Sequence, residues 1–208
     1  MKTAIAAIAL AAIALSLAVY SHLPAAIPTH WNAKGEIDHY SSRALGAFAL
    51  PGVMVLMTAL FAVLPAISPR GYEIDGESRP YRAIFAAVLL LLFGVHVQVL
   101  LAALKIGGPA PVLVPLLLGA AFVIIGAFLP QMRRNFFVGI RTPWTLADEG
   151  VWVRTHKFGG PLFVVCGIAM AAIGPFLRGR GPAILIAVLV GTAALVSVVY
   201  SYIIYRRV

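Results

Sequence analysis

The sequence predicts an all-α integral membrane protein, a six-transmembrane-helix bundle with both the N- and C-termini in the cytoplasm. Two observations give the fold class. The 208 residues are 62% hydrophobic and only 11% charged, whereas soluble domains are roughly 45–50% apolar and about 25% charged. The apolar residues are also gathered into six long runs. Lipid is therefore the expected solvent for most of the side chains.

Each run is long enough to cross a bilayer as a helix. A hydrocarbon core about 30 Å thick needs about 20 residues at a rise of about 1.5 Å per residue. Helices also satisfy their own backbone polar groups, as lipid requires. The predicted spans are Thr3–Leu23, Ala44–Ile67, Ala83–Leu104, Val112–Pro130, Phe158–Phe176 and Ala183–Tyr205.

The first run, "MKTAIAAIALAAIALSLAVYS", is also similar to a secretory signal peptide. Its apolar stretch of about 17 residues is longer than the 7–15 residues of a signal core. We therefore expect a helix that the mature protein retains, with cleavage as the alternative.

Basic residues predict the orientation of the bundle. Eleven of the 16 Lys and Arg lie at the termini or in the second and fourth connections, and five lie in the other three connections. Because Lys and Arg are enriched in cytoplasmic loops, the loop at residues 21–43 should face outward and the loop at 131–157 inward. The sequence divides into two units, residues 1–67 and residues 68–208. The net charge of +9 is explained by this flanking of spans, and no direct nucleic-acid binding is predicted.

The outer loop contains "IPTHWNAKGEIDHY", an unusually polar segment. Proline restricts the backbone there, and Gly35 permits a turn. One interpretation is an ordered re-entrant or surface loop that satisfies its own backbone. The other is a binding surface for a partner from outside. The candidate partner-binding residues are Pro28, His30, Trp31, Asn32, Gly35 and Asp38.

No metal or cofactor is predicted for the outer loop or elsewhere. His22, His30, Asp38 and His39 are near in sequence, but their spacing matches no metal-ligand pattern and Cys ligands are absent. The single Cys166 is expected to be a small buried hydrophobic residue.

The inner loop reads "QMRRNFFVGIRTPWTLADEGVWVRTHKFGG". Thr145 is predicted to cap a short helix from Leu146 to about Lys157. Trp144 and Trp152 would anchor that helix along the inner interface.

Arg141 is the residue of greatest interest in this loop. Its planar fork of donors could clamp backbone carbonyls, or it could bind a lipid phosphate or a partner carboxylate. The candidate residues of the inner-loop motif are Asn135, Gly139, Arg141, Thr142, Pro143, Trp144, Thr145, Trp152, Thr155 and His156.

Within the spans, His96 is the intramembrane candidate, because it is ionisable and deep in the third apolar run. Such residues are functional candidates by default. The alternative is a neutral His that is hydrogen-bonded to a neighbouring helix.

Two motifs carry a resemblance to a known family. "LPAAIPTHWNAKGEIDHYSSR" is similar to an N-terminal domain of unknown function with the pattern LP-x-x-IP-x-HW-N-x-x-G-x-x-D, and "NFFVGIRTPWTLADEGVWVRTHKFGG" resembles the SdpI signature. SdpI proteins are bacterial immunity proteins against a sporulation-delaying killing peptide. One departure is Gly126-Ala127, where the family usually has Gly-Asn.

The resemblance implies a multi-pass protein of the bacterial cytoplasmic (inner) membrane. Its implied partners are membrane lipids, a secreted killing peptide and a cytosolic transcriptional repressor, to which a family member signals. We expect a non-enzymatic immunity or receptor protein, since neither a nucleophile–base pair nor a metal cluster is evident at membrane depth. A small membrane transporter or channel is the alternative.

Overall fold

The computed structural model describes residues 2–106 and 110–207. In those residues, six helices are long and apolar enough to cross a membrane. This confirms the prediction of an all-α, multi-pass membrane protein, whereas the orientation of its ends stays a prediction. The elements in chain order are α1 (Lys2–Val19), β1 (Ala26–Trp31), β2 (Ile37–Ser42), α2 (Arg43–Val63), α3 (Arg79–Ala103), α4 (Ala110–Phe128), α5 (Pro143–Ala147), α6 (Glu149–Ile173) and α7 (Gly181–Tyr205).

Glycines bring α4 and α6 into close contact. A Cβ built on Gly126 would lie 2.5 Å from the carbonyl oxygen of Gly160, and a Cβ on Gly119 would lie 2.5 Å from the carbonyl oxygen of Gly167. Small residues at such crossings let two backbones approach where lipid supplies no hydrophobic drive between helices. Helices α4 and α6 therefore form the central packed pair in the second half of the bundle.

The segment between the first two spans, predicted as an ordered re-entrant or surface loop or a binding surface, is a two-stranded antiparallel hairpin. β1 pairs with β2, with Ile27 opposite Ser41 and Pro28 opposite Tyr40. Ile27 is fully buried and lies against Gly46 of α2, where an added Cβ would approach its own Cβ to 2.7 Å. The hairpin therefore sits on the helices, and the Ser42 side chain directly caps α2 by accepting a hydrogen bond from the Leu45 amide at 3.4 Å.

The predicted short interfacial helix from Leu146 to Lys157 is wrong. Residues from Glu149 onward are the first turns of α6 itself, so the fifth span begins well before the predicted Phe158. The short helix was predicted to end at about Lys157, before Gly159-Gly160. Instead α6 continues through these glycines, which are buried and lie against other segments.

The two polar segments lie at opposite ends of the bundle. We call the end with β1 and β2 the hairpin end. Its turn approaches the beginnings of α4 and α7. We call the other end, with residues 131–157 and the 64–78 connection, the motif end, since Tyr72 of that connection contacts Phe136 and Leu146.

Candidate functional site

The hairpin turn is rigidly braced by Asn32. Its side-chain oxygen accepts hydrogen bonds from the amides of Lys34 at 2.8 Å and Glu36 at 3.1 Å. Its side-chain amide donates to the Glu36 carboxylate at 3.0 Å. Gly35 has a φ of +81°, a conformation that glycine adopts without steric cost. These two residues therefore shape the turn, and the Asn32 side chain is largely engaged within it.

The exposed face of the hairpin is formed by other side chains. His30 and Asp38 form a cross-strand pair at 2.5 Å, and their side chains are 64% and 41% exposed. Tyr40 is 55% exposed and was not among the predicted contact residues. Pro28 is buried. Of the predicted residues, His30 and Asp38 are thus the ones best placed to meet a partner.

Trp31 has an intermediate position. It packs against the buried cluster that includes Leu23, Ile27 and Val99. It also lines a cavity of about 210 Å³ with Asn32 and residues at the beginnings of α4 and α7. The Trp31 ring therefore packs the hairpin against the helices and also forms part of the wall of this cavity.

The four residues considered for zinc are not gathered into one site. His22 lies beside Ser21, and His30 pairs with Asp38. Among residues 2–106 and 110–207, no group of three His, Cys, Asp or Glu is arranged to hold a metal ion.

Asn135 organises the motif end. It is 1% exposed and makes four hydrogen bonds to backbone groups. Its oxygen accepts from the amides of Phe137 at 2.8 Å and Val138 at 2.7 Å. Its amide donates to the carbonyls of Arg133 at 2.9 Å and Val138 at 3.0 Å. The Asn135 side chain therefore supplies hydrogen bonds that hold the loop backbone, and both its oxygen and its amide group are engaged.

His156 and Trp152 of α6 form hydrogen bonds to the backbone of the same loop. The imidazole Nε2 accepts the amide hydrogen of Ile140 at 3.0 Å, and Nδ1 lies 2.8 Å from the Trp152 carbonyl. This pattern requires the neutral ring protonated on Nδ1. Trp152 donates from Nε1 to the carbonyl of Met132 at 2.8 Å. Gly139, with a φ of +128°, passes over His156 where an added Cβ would lie 2.5 Å from Nε2.

The cap of α5 differs from the prediction. Thr142, and not Thr145, is the N-cap, and the two residues form a reciprocal capping box. Pro143 follows at the first helical position, where a missing N–H is harmless. Asp148 caps α6 by accepting from the amide of Val151 at 2.7 Å.

The motif is fastened to α7 through Ser201. Trp144 donates from Nε1 to the Ser201 hydroxyl at 2.5 Å, and that hydroxyl donates to the Val198 carbonyl at 2.7 Å. Ser201 was not predicted, since no sequence signal links residues 57 positions apart. Thr155 is fully buried, and its hydroxyl makes no hydrogen bond within the described residues.

Arg141 is exposed and donates from Nη1 to the carbonyl of Phe136 at 2.5 Å. This single hydrogen bond goes to a backbone carbonyl, and the role of Arg141 stays a prediction. A second arginine, Arg134, also binds the backbone: it donates to the carbonyls of Leu146 and Ala147 at 3.2 and 3.1 Å and stacks over Tyr72.

The neighbouring connection is also tied down by its own side chains. Amides of Gly71 and Glu73 hydrogen-bond to the Glu73 carboxylate and hold its pKa below the ordinary value. The motif end is therefore a folded platform, with few of its candidate side chains free.

His96 joins three helices. Its Nε2 lies 3.0 Å from the Ser16 hydroxyl, which donates to the Ala47 carbonyl at 2.6 Å. Because that hydroxyl hydrogen is used, Nε2–H of His96 must be the donor to Ser16. The residue is fully buried, and its geometry fits a structural link between α1, α2 and α3.

Comparisons with known proteins match two separate parts of the chain. The model of the SdpI/YfhL protein family matches residues 131–201. A domain of unknown function (DUF1648) matches residues 7–55. The chain is 29% identical to the immunity protein SdpI of Bacillus subtilis (strain 168) over 195 residues, which cover 92% of this chain and 89% of that protein. No solved structure matches. The predicted resemblance to the SdpI family is thus confirmed.

Proposed function

We propose that this protein is a non-enzymatic immunity protein of the bacterial cytoplasmic membrane, which protects its cell from a secreted antimicrobial peptide. The observation that carries the proposal is the similarity to an immunity protein over 92% of the chain. The two family-model matches include both polar elements, since the hairpin lies within residues 7–55 and the motif within 131–201.

The hairpin is the proposed contact for the peptide. Its turn is fixed by Asn32 and its base by Ile27, so little conformational freedom is lost when a partner binds. His30, Asp38 and Tyr40 project from this fixed frame. They combine hydrogen-bonding groups with an aromatic ring, a combination common in binding surfaces.

The motif end is the proposed internal support, and signalling to a cytosolic repressor is the finer part of the proposal. Its exposed basic residues include Arg133, Arg141 and, in α6, Arg154. The first two lie on a loop whose backbone is held by the side chains of Asn135 and His156. Such a surface suits a cytosolic partner only if the motif end is cytoplasmic.

The orientation can be tested separately from protection. Lys34 lies in the exposed hairpin turn, so we would introduce Lys34→Cys in a Cys166→Ser background. A membrane-impermeant thiol reagent should label whole cells. Labelling only after the cells are broken open would place the hairpin on the inner side and contradict the proposed contact.

Protection can be measured by expressing the protein in a sensitive bacterium and challenging with killing peptide. We expect survival with the wild type and about a tenfold lower protective titre with a His30→Ala, Asp38→Ala double variant, because losing one substantial contact weakens binding about tenfold. His22→Ala is the matched control, as His22 is an exposed His at the same end outside the strands.

Equal amounts of each variant in the membrane are required for this comparison. No protection by wild-type protein present in the membrane would refute the immunity function. Full protection by the double variant would refute the hairpin face as the contact.

A further inference from the structure

A cavity of about 520 Å³ lies at the motif end between the beginning of α1, the end of α2 and the beginning of α3. This volume is within the range of about 300–1,000 Å³ that is usual for small-molecule sites. None of the residues proposed to contact the peptide lines it. The cavity therefore requires an explanation of its own.

The wall of the cavity is apolar. Phe61 and Phe85 stack with their ring centroids 3.7 Å apart, and Ile5 and Ala62 extend the same wall. Tyr81 also lines the cavity, but its hydroxyl donates to the Phe61 carbonyl at 2.6 Å. Because its polar group is engaged there, the wall suits a hydrocarbon chain.

The mouth of the cavity carries charges of both signs. Arg82 donates from Nη1 to the Glu77 carboxylate at 2.8 Å, and its side chain is 22% exposed. Asp75 lies beside them and accepts the Glu77 amide at 2.9 Å. All three residues line the cavity. A guanidinium and two carboxylates thus stand where the apolar wall ends.

The position of the mouth matches that of lipid headgroups. It is formed where α2 ends at Val63 and α3 begins at Arg79, and the ends of spanning helices lie at the polar boundary of the bilayer. A molecule bound in this cavity should therefore have an apolar chain between the helices and a charged group near the helix ends.

We infer that this cavity binds a phospholipid with a zwitterionic primary-amine headgroup, phosphatidylethanolamine being the probe of that class. One acyl chain would lie along Phe61 and Phe85, the phosphate would pair with Arg82, and the ammonium would donate to Asp75 and Glu77. An anionic headgroup leaves the carboxylates opposed by like charge. A quaternary amine has no N–H to donate to them.

The test uses the full chain in nanodiscs with equal parts of phosphatidylethanolamine, phosphatidylglycerol and phosphatidylcholine, followed by native mass spectrometry of retained lipid. We expect phosphatidylethanolamine to be retained about tenfold over the other two. Arg82→Gln should lower that retention about tenfold, the effect of losing one charge-assisted hydrogen bond.

Two further variants make the result decisive. Arg79→Gln is the matched control, since its guanidinium lies over the Phe128 ring, 5.4 Å from the centroid, and should leave retention unchanged. Ala62→Trp fills the wall without altering charge and should abolish retention even if Arg82→Gln folds poorly. Equal retention of the three lipids, or undiminished retention by Ala62→Trp, would overturn the inference.

Discussion

Asn135→Ala is the sharpest test of the motif end as a folded platform. The substitution removes four hydrogen bonds to the backbone. A buried hydrogen bond contributes roughly 0.5–1.5 kcal/mol net, so the free energy of unfolding should fall by about 4 kcal/mol. The penalty is realised because the site is 1% exposed and water cannot readily replace the side chain.

The assay is unfolding of the purified protein in mild detergent by SDS titration, with hydrogen–deuterium exchange of the loop. Amides of Phe137 and Val138 should exchange faster in the variant, because they lose their acceptor. Gln131→Ala is the control: Gln131 is exposed, and its side chain makes a single hydrogen bond, to Ala127. A loss below about 1 kcal/mol with unchanged protection at 137 and 138 would refute the reasoning.

Three further substitutions test other contacts. Gly160→Val should lower the free energy of unfolding by about 2 kcal/mol or more, since the new side chain must push α4 away. The control is Gly191→Val, where a Cβ meets nothing within 4 Å, and its effect should stay within about 1 kcal/mol. Equal melting temperatures of the two variants would contradict close packing of α4 and α6. Gly139→Ala should cost about 1–3 kcal/mol from its positive φ and should perturb the imidazole resonances beneath it. Ser201→Ala should cost about 1–3 kcal/mol by leaving the Trp144 indole N–H without its acceptor, measured by thermal unfolding; an unchanged indole N–H chemical shift would argue against that bond.

The polar segments were harder to predict than the spans, for different reasons at each end. The hairpin had a local signal: two β-rich runs separated by a turn with Asn32 and Gly35, a pattern that indicates paired strands. That short signal is weak beside six long helical runs. The start of α6 had competing signals, because Gly159-Gly160-Pro161 resembles a helix end. Only the contact of Gly160 with α4 explains why glycine is needed inside that helix.

The candidate residues also differ in how far their roles could be predicted from the sequence. His30 and Asp38 were identified by residue type, and the structure adds that their side chains form a pair between the two strands. Asn135 and His156 were also identified by type, yet their roles as backbone partners depend on a loop conformation that spacing does not encode. Ser201 had no local signal at all.

Hydropathy and charge predict the lipid environment, the six spans and the two polar segments, because they are summed over many residues and need no knowledge of spatial neighbours. Only the three-dimensional structure shows which polar atoms are hydrogen-bonded within the protein and which are free to bind a partner. That distinction depends on individual contacts between segments far apart in the chain, such as Trp144 with Ser201 and Ser16 with His96. A hydrogen bond forms only within a few tenths of an ångström of its proper distance, so residue type cannot establish it.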